Sequence, residues 1–361
     1  MKYYDEYYDK KLCQSIMEKI KGLTAEEMNI MEVCGTHTVS IFRAGLKNLL
    51  PKNIHLISGP GCPVCVTPIS AIDHLIALAR MEDTIITTFG DMVKVPGSSS
   101  SLKEEKACGA DIRVIYSPYQ ALEVAQESPH QKVILVGIGF ETTIPLLANV
   151  VLEAKQKGLS NFYLLSLAKI MPPIKETLLQ SQEVKIDGIL CPGHVSAIIG
   201  SKPYQFIPEC YHIPCVIAGF EPVDILWAIY RLIQQKIKGR PVVENQYARA
   251  VREEGNLVAL DLMNKVFTPV DSHWRGIGKI PASGLDLKPE FFQFNAHNFE
   301  VEVESTKEHS QCRCGEVLRG IITPLQCPLF QKVCTPENPI GACMVSSEGT
   351  CAAYYKYSNE S

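Results

Sequence analysis

Fourteen cysteines in 361 residues define the chemistry open to this chain. Six of them, Cys312, Cys314, Cys327, Cys334, Cys343 and Cys351, fall in the last 50 residues. Taking Cys312, Cys327, Cys334 and Cys351 gives the pattern C-x14-C-x6-C-x16-C, and starting at Cys314 shortens the first gap to 12. Four thiolates so placed hold either zinc or an iron–sulfur cluster. The two close CxxC pairs of a zinc ribbon are absent here, which favours iron and sulfide. The plain alternative is free cysteine packed as a small apolar residue. Six thiols in a stretch rich in Gly and Pro, with little apolar periodicity, argue against it, because such a segment needs a staple.

Two further sulfur motifs lie near the N-terminus. Cys62-Pro63-Val64-Cys65 is a CxxC at a tight turn, the pattern of a redox dithiol or of half a zinc site. Cys34-Gly35-Thr36-His37-Thr38 gathers a thiol, an imidazole and hydroxyls within one helical turn. Cys34 there is a nucleophile with His37 as its base, or a metal ligand with His37 behind it. Asp91, Lys94, Glu141, His194 and Glu221 form a polar group, able to move protons or orient thiols at a shared cleft. Helix capping is the competing reading for Asp91, Thr142 and Ser196.

The elements that must position these residues follow from the apolar pattern. Residues 6–22 read as an amphipathic helix, with Leu12, Ile16 and Ile20 at helical spacing. From about 54 to 238, short β-rich runs alternate with helical stretches. Strands are expected at Ile54–Ser58, Thr84–Phe89, Ile112–Ser117, Lys132–Ile138, Phe162–Ala168, Gly188–Cys191 and Cys215–Ala218. Their spacing of about 25–30 residues is that of a βα unit, and their continuous apolar character suits a parallel sheet buried on both faces. The chemically distinctive residues cluster at the strand ends, where open parallel sheets bind ligands. Gly139-Phe140-Glu141 and Gly219-Phe220-Glu221 echo one another and hint at two related halves. After Lys238 the pattern changes: Gln246–Val266 is helical in character and His273–Phe294 is loop-rich.

Several classes are excluded. Lys+Arg of 35 against Asp+Glu of 39 leaves a net charge of −4, too balanced for a binder held by nucleic-acid phosphates or a polybasic membrane anchor. No apolar run approaches a membrane span, and the N-terminal residues lack a secretory pattern, so a cytoplasmic location is expected. Neither GxGxxG nor GxxxxGK[ST] occurs, which removes the dinucleotide and P-loop fingerprints.

The combination MEVCGTHT, SGPGCPVCVTP, TTFGDMVKVPGS, GFETTIP, CPGHVSAIIG and CRCGEVLRG…CPLFQKVCTPENP…MVSSEGTC resembles the HypD family of nickel–iron hydrogenase maturation proteins, from about residue 12 to 357. The resemblance implies a cytosolic scaffold that, with the small partner HypC, carries the iron atom that becomes an Fe(CN)2CO group. It implies that HypE delivers cyanide prepared with HypF, and that a C-terminal domain holds a 4Fe–4S cluster. It makes Cys34 the iron ligand, with His37 and Thr38 beside it, and Cys62/Cys65 a redox-active pair. It draws the cluster ligands from Cys312 or Cys314 with Cys327, Cys334 and Cys351, and places Asp91, Glu141 and His194 along the cleft. The expected architecture is α/β, with two Rossmann-like halves over 1–130 and 131–240 and a small iron–sulfur domain over 241–361. The rival functions are an iron–sulfur-dependent disulfide reductase and a zinc-stabilised docking protein.

Overall fold

The structure, a computed structural model, describes residues 5–23 and 26–358. Eleven strands are present among them: β1 (Met28–Glu32), β2 (Ile54–Ser58), β3 (Thr84–Thr88), β4 (Asp111–Val114), β5 (Lys132–Gly139), β6 (Phe162–Ala168), β7 (Gly188–Pro192), β8 (Cys215–Ala218), β9 (Val243–Asn245), β10 (Phe267–Trp274) and β11 (Gly278–Leu287). They build two fully parallel sheets, ordered β2-β1-β7-β8-β9 and β4-β3-β5-β6, and one antiparallel hairpin, β10-β11. The expected α/β class with two parallel sheets is therefore present.

The sheets are nested in the chain rather than consecutive. The second takes β3 to β6, which lie between the β1–β2 and β7–β9 portions of the first. A division at 130/131 separates β4 from β5, although both pair with β3, and one at 240/241 separates β8 from β9. Strand spacing reports local βα units and says nothing about which strands pair.

Alternation along the strands sorts side chains into three cores. Met31, Ile86, Ile134, Val136, Ile189, Cys191 and Ile217 face a core shared by both sheets. Their neighbours Ile30, Leu190 and Val216 pack outward under the helices Lys10–Leu23 and Pro222–Lys238. On the second sheet, Val133, Leu135 and Leu164 pack under the helix Ile144–Gln156. Ile16 and Ile20 are buried as the helical spacing predicts, whereas Leu12 is exposed. The region expected as loops over 273–294 contains much of the β10-β11 hairpin, whose Trp274 is buried and stacks on Phe140. The C-terminal segment has no core of its own. Val317, Leu329, Phe330 and Met344 join the shared core, so this segment packs against the body of the molecule.

Each sheet has a topological switch point, where successive connections leave in opposite directions and open a crevice at the strand ends. In the first sheet it lies between β1 and β7, whose ends carry Cys34 and His194. In the second it lies between β3 and β5, whose ends carry Asp91 and Glu141. The Gly-Phe-Glu echo does not fall at matching places. Gly139 ends β5, beside one switch point, whereas Gly219 follows β8, one strand removed from the other.

Candidate functional site

Cys34 is the N-cap of the helix Gly35–Arg43, directly after β1. Its backbone N–H donates to Glu32 Oε2 at 3.1 Å, and Thr38 Oγ1 donates to Glu32 Oε1 at 2.5 Å. Glu32 is 2 % exposed, and burial raises its carboxyl to about 8. It is neutral at pH 7 and acts as a hydrogen-bonded floor under the turn. The Cys34 thiol is also buried, and burial pushes it up to about 12. The N–H groups of Thr36 and His37 favour its thiolate, as helix N-termini do, while Glu348 and Glu32 oppose it. Burial wins, so this thiol is protonated at neutral pH.

His37 is fully buried. Its Nε2 donates to the Gly219 carbonyl at 2.8 Å, which leaves Nδ1 as a lone pair with no partner. Burial lowers the ring to about 4, so it is neutral. Phe220 lies against the His37 ring at 4.7 Å and stacks on the His194 ring at 3.9 Å. The second Gly-Phe-Glu segment thus seats both imidazoles. Its Glu221 pairs with Arg249 at 3.0 Å.

The CPVC turn sits beside Cys34. The Gly35 N–H donates to the Gly61 carbonyl at 3.0 Å, and the Gly59 N–H donates to the Glu32 carbonyl at 2.7 Å. Cys62 and Cys65 are bridged by a disulfide, with Cα atoms 5.3 Å apart and exposures of 3 % and 0 %. A Cβ on Gly61 would lie 2.3 Å from the Cys34 backbone nitrogen, so only glycine allows this approach. Gly61→Ala is expected to cost about 1–3 kcal/mol by overpacking. Urea unfolding checks this; a midpoint equal to wild type would show that the two turns are not so tightly apposed.

The third sulfur group closes around the same region. All six C-terminal cysteines line one small cavity with Val317, Leu329, Phe330 and Met344. Cys314 Sγ donates to Cys343 Sγ at 2.8 Å, and Cys343 also adjoins Cys351. Among the described residues, no three Cys, His, Asp or Glu groups stand ready-spaced around a metal ion; the thiols rest on one another instead. Cys65 Sγ lies 3.9 Å from the carbonyl oxygen of Ala342, the neighbour of Cys343. Between Cys343 and Cys351, the loop carrying Glu348 folds over the Cys34 turn, and Thr36 Oγ1 donates to Glu348 Oε1 at 2.7 Å.

The remaining expected residues divide. Asp91 lines a cleft with Thr36 and Glu348, close to the Cys34 turn. Glu141 does not face that cleft. It is 1 % exposed, Oε1 accepts the Met171 N–H at 2.8 Å, and Oε2 is unpartnered. Lys94 is exposed. Sequence reasoning missed Glu32, Phe220 and Glu348. Cys343, the thiol outside the four-ligand patterns drawn from spacing, hydrogen-bonds with Cys314 and adjoins Cys351.

Known proteins resemble this chain over nearly its whole length. The HypD family model, described as the hydrogenase formation hypA family, matches residues 10–358. Hydrogenase maturation factor HypD of Escherichia coli K12 is 44 % identical over 366 residues, covering 99 % of this chain and 98 % of that protein. Hydrogenase maturation factor HypD of Cupriavidus necator is 44 % identical over 368 residues, with 99 % and 97 % covered. Hydrogenase expression/formation protein HupD of Azotobacter chroococcum is 44 % identical over 370 residues, with 100 % and 98 % covered. No described helix is long and apolar enough to cross a membrane. The matched span includes the Cys34 turn, the CPVC turn and all six C-terminal cysteines, and the chain belongs to the HypD family of hydrogenase maturation factors.

Proposed function

We propose that this chain is the iron-carrying scaffold on which, together with HypC, the Fe(CN)2CO group is assembled, in the cytoplasm and with cyanide delivered by HypE from HypF. The observation that carries the reading is the convergence of three sulfur groups. The Cys34 turn touches the CPVC turn, and the CPVC turn touches the cysteine pocket. Iron enters as cargo. Cys34 offers it a soft thiolate, and the positive ion reverses the burial that otherwise keeps this thiol protonated. Neutral His37 presents an open Nδ1 lone pair in the same turn, and Asp91 and His194 stand at the crevice.

Release of cyanide from a thiocyanate consumes two electrons and one proton, giving one thiol and one cyanide ion. A reduced Cys62/Cys65 pair supplies both electrons and closes to the disulfide found here. An all-sulfur donor set with an apolar lining suits a 4Fe–4S group held by four of the six C-terminal cysteines, Cys312, Cys314, Cys327, Cys334, Cys343 and Cys351. When bound, that group would supply electrons singly for re-reduction of the pair.

Infrared spectroscopy of the anaerobic complex with HypC tests the reading. Cyanide and carbonyl stretches are expected in the wild-type complex and are lost in Cys34→Ala with HypC still bound. Stretches that survive the substitution would overturn it.

A further inference from the structure

We propose that Arg275 is the built-in counter-charge of the C-terminal inorganic centre, placed to donate a hydrogen bond at its Cys314 end and to favour its reduced form. The proposal rests on the iron–sulfur reading of that pocket.

Arg275 lies in the turn of the β10-β11 hairpin and is 4 % exposed. Its backbone N–H donates to the Val66 carbonyl and its Nε to the Thr67 carbonyl, both at 2.8 Å. The guanidinium is thereby fixed against the end of the short helix Pro63–Val66. Both of these partners are neutral, and Nη2 has no partner at all. No ion pair of Arg275 occurs among the described residues. Burying a guanidinium without an anion is strongly unfavourable, so a fold that keeps one there has an anion to place beside it.

The backbone identifies where that anion sits. Gly276, at φ +68°, packs so closely on Gly315 that a Cβ would fall 2.0 Å from the Gly315 Cα. The arginine turn is thus pressed onto the residue following Cys314. The pocket walls carry no acidic or basic side chain, and the exposed Arg313, whose charge reaches Cys327, is already paired with Glu316. A cluster bound by four thiolates is anionic and gains one further negative charge on reduction. A nearby fixed cation and an N–H donor both lower the cost of that step.

The test is an anaerobic potentiometric titration of the full chain, followed by absorbance and electron paramagnetic resonance. The mediator dye loses one electron and the centre gains one; no bond forms and no proton is required. Arg275→Met is expected to disfavour reduction at least tenfold, about 59 mV for a one-electron couple. Arg275→Lys, which keeps the charge, is expected to stay within threefold of wild type. Should Arg275→Met not fold, Arg275→Gln is neutral, keeps a donor for Thr67, and is expected to show the same tenfold change. An iron-loaded neutral variant within threefold of wild type overturns the proposal, as does a lysine variant shifted as far as the neutral ones. Wild-type protein that holds zinc, or no iron and sulfide, overturns the iron–sulfur reading itself, and metal and sulfide analysis separates that failure from the first.

Discussion

Stripping iron from the anaerobically purified chain is expected to raise the alkylation rate of Cys34 about a hundredfold. Cys34 is only 8 % exposed, and part of its cover is the loop bearing Glu348, whose carboxylate accepts the Thr36 hydroxyl. That loop is tethered at one end by Cys343 and at the other by Cys351, both lining the thiol pocket. The helices around the pocket, Cys314–Leu318, Ala342–Val345 and Thr350–Tyr357, are four to eight residues long. Helices so short have no stability of their own and depend on tertiary anchoring. On the iron–sulfur reading proposed above, the inorganic centre is that anchor, and its removal is expected to open the loop locally while both parallel sheets stay folded. A hundredfold rise corresponds to about 2.7 kcal/mol of opening free energy. Mass spectrometry of iodoacetamide-treated protein reads the rate at each cysteine. Cys108, which is exposed and far along the chain from this loop, is the internal reference and is expected to react equally in both forms. Equal labelling of Cys34 with and without iron would separate the Cys34 turn from the metal pocket and remove the reason for placing them in one device.

The sequence made some parts of this arrangement legible and hid others. Ile54–Ser58, Phe162–Ala168 and Cys215–Ala218 are found at the expected residues because each is a β-rich apolar run bounded by turn residues. β1, the strand that delivers Cys34, went unseen. Its residues Met-Asn-Ile-Met-Glu carry little β-propensity, and they are extended because β2 and β7 flank them on either side. The β10-β11 hairpin hid for a related reason. Pro269, Pro281 and Gly284 interrupt the pattern, and a two-stranded ribbon outside the parallel sheets tolerates them. The three sulfur motifs could be read as chemistry, but not as neighbours. Their apposition depends on two nested sheets and a C-terminal segment that fills the core between them. Glu32 illustrates the limit most clearly. One carboxylate at the end of a short strand is unremarkable in sequence, and it matters only because folding buries it under Cys34 with two donors aimed at it.

Glu141 carries the same lesson into a measurable pH dependence. Burial raises this carboxyl from 4.5 to about 7, with the Met171 N–H and Lys175 offsetting only part of the effect. Between those two values the folded chain keeps a proton that the unfolded chain has lost. Folding stability therefore falls as pH rises from about 4.5 to 7, then levels off above it. The full span is worth on the order of 3 kcal/mol. In Glu141→Gln the amide oxygen still accepts the Met171 N–H, and no charge remains to be buried. The variant's gain over wild type is expected to be small or negative at pH 5, where leaving its amide NH2 unpartnered costs about 1–2 kcal/mol. At pH 8 it is expected to be about 1–3 kcal/mol more favourable than at pH 5. Glu32 also titrates from a buried position, near 8, but it does so in both proteins and cancels in the difference. Anaerobic urea unfolding of the pair at pH 5 and pH 8 decides the matter. A difference that stays constant between the two values would show that Glu141 enters the fold already ionised, and that its unpartnered oxygen meets a charge or a solvent path that the packing around Met171 and Lys175 does not provide.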